Sequence, residues 1–500
     1  MNSTANTKFE TWSVKKIAVI GPGIVGMPMA ALLAHARIKI GSDQATKVII
    51  IQRNSKNSGW KVDAINSGKS PIGGIEPDLD QIVKKTVEIK ALSASHDYTE
   101  LKNSDVILVC VQTDKKGLEP DYRPLFSSLT EIAKALSKKE PGHTPLIIFE
   151  STLAPSTMNT VIKNFFESKN LIEGKDMLLG NSPNRVMPGF LVQRISASDK
   201  IAAGLSLETS ELIQKLYKKI VTKAQIHKTN SMTAEVVKTL ENAYRDVRIA
   251  FASEVVRYCD ANNINFYQVR DKVNHLLAQD DSASQNPNDV PNGGILIPGI
   301  GVGGHCLPKD GILLWWRKLE LDKNSPSSLI LESRHINDES PKEAVKIFEK
   351  NFGKIFGKSI ALFGAAYRFN SEDTRNSPAL QLALQLIEMN CNVTIHDPYV
   401  KPDDQNLIKS NLQHSFTQNY ESALDSSEYL IFCTAHKVYS ADISIIKKTG
   451  KHLIGIMDGC NMFPDKSYPG IGRGKTPPTE EFISFIYASF KIMEKGIANE

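Results

Sequence analysis

The sequence has few cysteines for its length, and they lie far apart. Six cysteines are spread over 500 residues, and no two of them form a Cys-x-x-Cys pair. Neither a zinc knuckle nor a disulfide framework is therefore expected. No secretion signal is recognisable either, so we expect the protein to reside in the reducing cytoplasm.

An excess of charge of one sign is also missing. The formal net charge is +5, with 23% charged and 41% hydrophobic residues, which is ordinary for a globular protein. No Lys/Arg-rich block has the pattern that follows a nucleic-acid backbone. We therefore expect no nucleic-acid partner.

One uncharged apolar run is long enough to be tested as a membrane span. Residues 17–34, IAVIGPGIVGMPMAALLA, form a run of 18 residues, near the lower limit for a transmembrane helix. Pro22, Pro28 and three glycines interrupt it, and such runs fit poorly in lipid. A buried strand, a glycine turn and an apolar helix are the better interpretation, so no membrane span is expected.

Short Val/Ile-rich runs alternate with helical stretches near the beginning of the chain and again after about residue 357. Strands that are apolar throughout predict parallel sheets covered on both faces by helices. The predicted strands are residues 16–21, 47–52, 105–111, 146–152, 358–364, 392–398, 428–434 and 453–458. The predicted fold class is α/β, with two Rossmann-like doubly wound parallel-sheet domains joined by a long central helix.

The central helix is predicted from about residue 231 to 261. Its apolar residues follow a three-then-four spacing that makes one stripe, consisting of Val237, Leu240, Tyr244, Val247, Phe251, Val255 and Tyr258. We expect Val237 and Leu240 to face the core. The polar stretch 278–294 that follows is predicted to be a loop or lid.

Lys238 and Asn242 are four residues apart on this predicted helix and therefore share a face. The orientation expected for the stripe places them beside it rather than opposite it. An ammonium and an amide directed at one point can stabilise a developing oxyanion, although such a pair is also common on ordinary helix surfaces.

The segment GPGIVG (21–26) has the spacing G-x-G-x-x-G between a predicted strand and a predicted helix. The first glycine allows the tight turn, the second lets the backbone approach a pyrophosphate, and the third lets the helix pack on the strand. This setting predicts a dinucleotide site formed by Gly21, Gly23, Ile24, Val25 and Gly26.

The second strand ends without the acid that usually binds the adenosine ribose. Gln52 and Arg53 stand there instead. Gln52 can hydrogen-bond a ribose hydroxyl, while Arg53 can stack on adenine, pair with a 2′-phosphate or simply be solvated. The expected cofactor is NAD, with NADP left open.

The segment GVGGHCLPKD (301–310) surrounds Cys306 with glycines and a Pro-Lys-Asp. The cysteine is a nucleophile, a metal ligand together with His305, or a buried structural residue. A nucleophilic cysteine needs nearby positive charge, which Lys309 or Lys238 can supply. Adjacent residues rarely ligate one ion, and no second Cys/His pair has ligand spacing, so no metal is expected.

Taken in order, these segments resemble the UDP-glucose/GDP-mannose dehydrogenase family of nucleotide-sugar 6-dehydrogenases over nearly the whole chain. The resembling segments are INSGKSPIGGIEPDLDQIV (65–83), ESTLAPST (150–157), TAEVVKTLENAYRDVRIAFASE (233–254), GVGGHCLPKD (301–310), YRFNSEDTRNSPAL (367–380) and HDPYV (396–400). The GGHC variant and SPNRVMPG (182–189) are more similar to the branch acting on UDP-N-acetylhexosamines than to the branch acting on UDP-glucose.

The resemblance implies three regions and a dimer. An N-terminal Rossmann domain (1–222) would bind NAD, and a central helical region (223–345) would form a homodimer and carry the cysteine loop. A C-terminal Rossmann-like domain (346–500) would bind the UDP-sugar.

The resemblance also implies a four-electron reaction in which two hydrides pass from sugar C6 to two NAD molecules, giving a uronate. Cys306 would hold the intermediate as a thiohemiacetal and then as a thioester. Lys238 and Asn242 would donate to the oxyanion, and Asp310 would activate water. Thr152 would lie near the nicotinamide.

Further site residues come from the same resemblance. The additional cofactor-binding residues are Thr113, Lys309 and Arg375. The additional substrate-binding residues are Arg185, Val186, Met187, Gly301, Gly303, Tyr367 and Arg368.

Three positions depart from the family pattern. Asn184 replaces a glutamate expected to assist thioester hydrolysis, and an amide can hold a water but cannot act as a base. The acid after the second strand is missing, and Cys460 replaces an arginine that often contacts substrate. A nucleotide-sugar-binding regulator without turnover therefore stays open as an alternative, as does a two-electron dehydrogenase.

Overall fold

The structure is a computed structural model that describes residues 12–74, 76–186, 188–283, 293–322, 327–463 and 468–474. The chain forms two compact units. The first extends to Tyr244 and includes His305–Leu331 and Asn370–Glu372. The second contains Arg245–Gly304, Glu332–Phe369 and the chain from Asp373 onward.

The strands in the described residues are short. They are β1 (Lys16–Ile20), β2 (Lys47–Ile51), β3 (Leu92–Ser95), β4 (Val106–Val109), β5 (Asp114–Lys116), β6 (Glu119–Asp121), β7 (Leu146–Phe149), β8 (Leu178–Asn181), β9 (Lys200–Gly204), β10 (Ile226–Asn230), β11 (Ser359–Phe363), β12 (Asn392–His396), β13 (Phe416–Thr417), β14 (Tyr429–Phe432) and β15 (Gly455–Asp458).

The helices vary more in length. They are α1 (Gly26–His35), α2 (Trp60–Asn66), α3 (Leu79–Glu88), α4 (Arg123–Leu136), α5 (Lys163–Glu167), α6 (Leu191–Ala197), α7 (Leu207–Tyr217), α8 (Ser231–Ala261), α9 (Phe266–Ala283), α10 (Leu307–Leu321), α11 (Leu329–Phe352), α12 (Pro378–Glu388), α13 (Gln405–Lys409), α14 (Tyr420–Asp425), α15 (Lys437–Ala441) and α16 (Ile443–Thr449).

The first unit contains an eight-stranded sheet with the order β10-β9-β8-β7-β4-β1-β2-β3. All neighbours are parallel except β8 and β9. The strands predicted from Val/Ile runs are present, whereas β3, β8, β9 and β10 were not predicted because they contain Ser, Gly, Ala, Asn or Lys. β10 extends this sheet beyond residue 222, the predicted end of the first domain.

The second unit contains a five-stranded parallel sheet with the order β13-β12-β11-β14-β15. Its central strand β11 is almost fully buried, as expected of a parallel sheet covered on both faces. The prediction of two α/β sheets is confirmed.

The apolar run at 17–34 is buried inside the first unit. It forms β1 and then α1, whose residues from Gly26 to Ala34 are all buried, so the lack of charge is explained by the core. No helix in the described part of the chain combines the length and hydropathy needed to span a bilayer.

The long helix α8 has the predicted bounds but the opposite orientation. Its apolar stripe is largely on the surface: Leu240 is 49% exposed, Tyr244 63% and Tyr258 65%. Lys238 and Asn242 lie on the buried side instead. The expectation that Val237 and Leu240 face the core is wrong, because the three-then-four spacing identifies a face but does not show what covers it.

Residues 223–345, the predicted central region, are divided between the two units. Helix α8 begins in the first unit and ends in the second, and the segment that begins at His305 returns to the first. The predicted loop at 278–294 begins inside α9, which continues to Ala283; residues 284–292 lie outside the described residues.

Candidate functional site

The glycine turn joins β1 to α1. Gly21 has φ +90°, and a Cβ there would lie 3.0 Å from the Cys110 carbonyl oxygen, while a Cβ at Gly26 would overlap the Gly21 carbonyl oxygen. A Cβ at Gly23 would meet nothing within 4 Å, which leaves room for a pyrophosphate at the helix N-terminus. The turn therefore fits the predicted dinucleotide.

Ile24 and Val25 complete this turn, and both are half-buried. Val25 immediately precedes α1. Their side chains therefore contribute to the walls of the turn, while their backbone leads into the helix N-terminus that faces a bound phosphate.

The end of β2 carries Gln52 and Arg53 as predicted. The Gln52 Nε2 group donates to Ser58 Oγ at 2.9 Å and to the Arg53 carbonyl oxygen at 3.1 Å, so the loop after the strand holds this amide. Arg53 is exposed. Both residues lie at the carboxyl end of the sheet next to β1, where a dinucleotide binds in this fold.

Thr113 and Thr152 follow β4 and β7, and the structure brings them together. The Thr113 hydroxyl donates to the Thr152 carbonyl oxygen at 2.7 Å. Because β4 and β7 are parallel neighbours, their carboxyl ends meet at one edge of the sheet. Both threonines therefore lie at the edge where the glycine turn lies.

Cys306 is exposed and immediately precedes α10. Its carbonyl oxygen accepts from the backbone N–H groups of Lys309 at 3.1 Å and Asp310 at 2.9 Å, which closes the first turn of the helix. The positive end of a helix dipole stabilises negative charge at this position. An exposed sulfur in this setting is not a structural core cysteine.

Asn242, Asp310 and Lys309 form a buried chain of hydrogen bonds. Asn242 Nδ2 donates to Asp310 Oδ2 at 2.6 Å, and Lys309 Nζ pairs with Asp310 Oδ1 at 2.6 Å. Asp310 has no exposed surface, and both of its oxygens have a partner. This arrangement suits a residue that orients Asn242 and Lys309 better than one that takes a proton from water.

Lys238 lies one turn before Asn242 on the same face of α8. The residue is only 6% exposed, and among the described residues no protein group accepts a hydrogen bond from its ammonium. The nitrogen is not one of the fully buried polar atoms that lack a partner, so a ligand can reach this charge in a largely buried setting. The position is therefore suited to a ligand that supplies an anion or an oxyanion.

Glu235 fixes the segment that carries Thr152, and sequence reasoning missed it. Its carboxyl oxygens accept from the backbone N–H groups of Ser156 at 2.7 Å and Met158 at 2.8 Å. Burial raises the pKa of Glu235 to about 8, and the two N–H groups act in the opposite direction. Ser156 has φ +70°, a left-handed conformation that glycine adopts more easily.

Asn184 belongs to a buried polar cluster that the sequence did not reveal. Its Nδ2 group donates to Glu150 Oε2 at 3.2 Å. The same oxygen pairs with Lys200 Nζ at 2.8 Å, and the Tyr217 hydroxyl donates to Oε1. These residues come together because β7, β8 and β9 are neighbours in the sheet and α7 packs against it.

Residues 185–187 continue from this cluster. Arg185 pairs with Glu241 at 2.7 Å, and the Val186 N–H donates to Asn184 Oδ1 at 3.2 Å. Met187 lies outside the described residues. Arg185 is exposed, which is compatible with the predicted contact to substrate.

In the second unit, Gly301 and Gly303 allow close packing rather than leaving open space. A Cβ at Gly301 would lie 2.9 Å from Pro378 Cβ, and one at Gly303 would overlap Tyr367 Cβ. The Gly304 N–H donates to the Arg375 carbonyl oxygen at 2.8 Å. These glycines therefore fit Tyr367 and α12 against the segment that precedes the cysteine.

Two predicted arginines of the second unit contact neighbours in their own segment. Arg375 Nε donates to Asp373 Oδ1 at 2.8 Å. The Arg368 guanidinium lies over the Phe369 ring at 5.4 Å from its centroid. Both arginines keep part of their surface exposed.

The ring of His305 lies near an acidic side chain of β5. Its Nε2 atom lies 3.7 Å from Asp114 Oδ2. Within the described ranges, no group of three or more His, Cys, Asp and Glu side chains is arranged to hold an ion.

Comparison with known proteins gives three domain matches in chain order, all from the UDP-glucose/GDP-mannose dehydrogenase family. Residues 15–221 match its NAD binding domain, residues 232–339 its central domain and residues 361–465 its UDP binding domain.

Individual relatives cover nearly the full chain. The UDP-N-acetyl-D-mannosamine dehydrogenase of Pyrococcus horikoshii is 32% identical over 92% of this chain and 99% of that protein. Its solved structure has a TM-score of 0.74, with 31% identity and coverage of 92% of this chain and 99% of that one. The structure of an NDP-N-acetyl-D-galactosaminuronic acid dehydrogenase from Methanosarcina mazei gives 0.72, with 29% identity and coverage of 94% and 98%.

Proposed function

Since the chain belongs to the UDP-glucose/GDP-mannose dehydrogenase family and is an NAD-binding nucleotide-sugar dehydrogenase, we propose a specific reaction for it. The protein oxidises C6 of a UDP-N-acetylhexosamine to the uronate. The substrate follows the names of its relatives, which act on UDP-N-acetyl-D-mannosamine. UDP-glucose is the second candidate substrate. The observation that carries the proposal is the largely buried Lys238 beside Asn242, whose amide donates to Asp310 on the helix that directly follows Cys306.

NAD held at the glycine turn would supply the hydride acceptor, and two NAD molecules in succession would be needed, one for oxidation of the alcohol to an aldehyde and one for oxidation of the thiohemiacetal to a thioester. The sulfur of Cys306 attacks the aldehyde carbon, which keeps this intermediate on the enzyme between the two oxidations. Lys238 and Asn242 donate hydrogen bonds to the oxygen that becomes negative. Water then breaks the C–S bond and releases the carboxylate.

The hydrogen-bonded chain from Asn242 to Lys309 supports these roles. Asp310 accepts from both residues and so fixes the direction in which Asn242 presents its amide. In this proposal Asp310 is an orienting group, and Thr152 with Thr113 shapes the nicotinamide end of the cofactor site.

Further residues are proposed to bind the cofactor and the substrate. The glycine turn, Gln52, Arg53, Lys309 and Arg375 would bind NAD. The substrate would contact Arg185, Val186, Met187, Gly301, Gly303, Tyr367 and Arg368.

We also propose a homodimer formed through α8. Its exposed stripe presents Val237, Leu240, Tyr244, Phe251 and Tyr258, each more than 40% exposed. Regularly spaced large apolar side chains on a surface mark an interaction site. A second copy of the chain has the same stripe, so a symmetric contact would bury the apolar side chains of both copies.

The cytoplasm is the proposed location. All six cysteines are free, which agrees with a reducing compartment.

The test is a panel of UDP-sugars with NAD and NADP, monitored by absorbance of the reduced cofactor. We expect NAD reduction with a UDP-N-acetylhexosamine and two reduced cofactors for each sugar consumed. Cys306→Ser should lose uronate formation. One reduced cofactor per sugar would contradict the four-electron reaction, and UDP-sugar binding without any cofactor reduction would favour a regulator.

A further inference from the structure

Hydrolysis of the proposed thioester requires a correctly oriented water, and Asn184 stands where the resemblance implies a glutamate. An amide helps in one orientation only. Its carbonyl oxygen accepts a hydrogen from water and so raises the electron density on the water oxygen, whereas its nitrogen would donate to a water lone pair and lower that density. The orientation of the Asn184 amide therefore decides whether it can assist.

Glu150 fixes that orientation. It directly follows β7, and its side chain is fully buried. Oε2 accepts from Asn184 Nδ2 at 3.2 Å and from Lys200 Nζ at 2.8 Å. A carboxylate only accepts hydrogen bonds, so it must face the amide nitrogen of Asn184 and not the amide oxygen.

Two further contacts restrict the same residue. The Asn184 backbone N–H donates to the Glu150 carbonyl oxygen at 3.3 Å, and Oδ1 accepts from the Val186 N–H at 3.2 Å. A carbonyl oxygen has two lone pairs, so Oδ1 can accept one more hydrogen bond. An open cavity lined by Asn184, Val186 and Lys200, among other residues, gives water access to this amide.

We propose that Glu150 is a positioning residue for the hydrolytic step, holding the Asn184 amide so that Oδ1 accepts a hydrogen bond from the attacking water. This inference rests on the proposed thioester mechanism. The water oxygen bonds to the thioester carbon, and the C–S bond breaks with its electron pair going to sulfur. One water proton ends on the Cys306 sulfur, and the new carboxylic acid releases its proton to solvent.

The test is Glu150→Gln, because a glutamine side chain of the same shape can offer either an oxygen or a nitrogen to Asn184. We expect two reduced cofactors per active subunit to form in a first turnover at the wild-type rate. Hydrolysis should then slow by about 10- to 100-fold, the cost of a small misplacement of a reacting group. The acyl-enzyme should accumulate in the mass of the intact protein, and added hydroxylamine should restore turnover.

Tyr217→Phe is the matched control. It removes the hydrogen bond to the other oxygen of the same carboxylate without touching Asn184. We expect a lower melting temperature and an unchanged hydrolysis rate. If both variants slow hydrolysis equally, Glu150 has a structural role only. If Glu150→Gln does not fold, the double variant Glu150→Gln with Lys200→Met, which removes the whole ion pair, is used in the assay instead of the single variant.

A double-mutant cycle with Asn184→Ala tests whether Glu150 acts through the amide. The effect of Glu150→Gln should disappear in the Asn184→Ala background, whereas independent effects would add and overturn the proposal. Normal production of two reduced cofactors per sugar, with wild-type hydrolysis in Glu150→Gln, would refute this inference alone. No cofactor reduction with any UDP-sugar would overturn the proposed function and this inference with it.

Discussion

The two faces of α8 reverse the usual arrangement of an amphipathic helix. The buried face carries Glu235, Lys238 and Asn242, while the exposed face carries Leu240 and Tyr244. In a surface helix of a monomer the apolar face is normally buried and the polar face is hydrated. This reversal is what the proposed function requires, with the inner face of the helix next to the substrate and the apolar outer face covered by a second copy of the chain.

Polar groups on the inner face have specific partners, which is why they can be buried at all. Glu235 accepts two backbone N–H groups, and Asn242 donates to Asp310. Lys238 is the exception among the described residues of this face, and it is the residue to which the mechanism assigns the oxyanion.

The largest expected effect on catalysis comes from removing the ammonium group of Lys238 from the inner face. Lys238→Met keeps the length of the side chain but removes the oxyanion donor, so kcat should fall by about 10²- to 10³-fold. The measurement is steady-state NAD reduction with the best UDP-sugar. Lys228→Met, which changes an exposed lysine on β10, is the matched control and should leave kcat unchanged. Equal loss in both variants would remove the special role of Lys238.

The proposed dimer contact on the outer face can be disrupted by Leu240→Asp combined with Tyr244→Asp. Because a two-fold contact loses each substituted side chain twice, about 1.5 kcal/mol per side chain amounts to about 6 kcal/mol, and the dissociation constant should rise about 10⁴-fold or more. Sedimentation of both proteins over a concentration series measures this. Thr233→Asp, at an exposed polar position of the same helix, should remain a dimer. A double variant that still sediments as wild type would mean that α8 is not the interface.

A smaller effect, on the free energy of unfolding, is expected at Ser156, whose backbone N–H donates to Glu235 on the inner face. The inner face holds Ser156 at φ +70°, which costs an L-residue roughly 1–2 kcal/mol. Ser156→Gly should therefore raise the free energy of unfolding by up to about 1 kcal/mol, after the added chain entropy of glycine is subtracted. Urea unfolding checks this. Ser168→Gly, at an ordinary φ of −64°, should lower stability instead.

The sequence predicts the sheets well because buried parallel strands are apolar along their whole length. The eight Val/Ile-rich runs all became strands, and the spacing of GPGIVG identified the turn after β1. Strands such as β9 (KIAAG) and β10 (IHKTN) were not predicted, because their place in the sheet depends on neighbours rather than on their own hydrophobicity.

The candidate site was predictable only where a motif marks it. Cys306, Lys238 and Asn242 have roles that the resemblance implies, whereas Glu150 and Glu235 stand in resembling segments without an implied role. Their partners are 34 and 79 residues away in sequence, so only the folded chain reveals them. The orientation of α8 was missed for a related reason, since periodicity does not say whether a face meets its own chain or another.

The exposure of Cys306 has a practical consequence for handling this protein. Burial raises the pKa of the other five thiols, Cys110, Cys259, Cys391, Cys433 and Cys460, and protonated thiols react slowly with oxidants and alkylating reagents. The exposed thiol therefore reacts first. Under the proposed mechanism, modification of this one sulfur would stop turnover, so one equivalent of an alkylating reagent would count the functional subunits in a preparation.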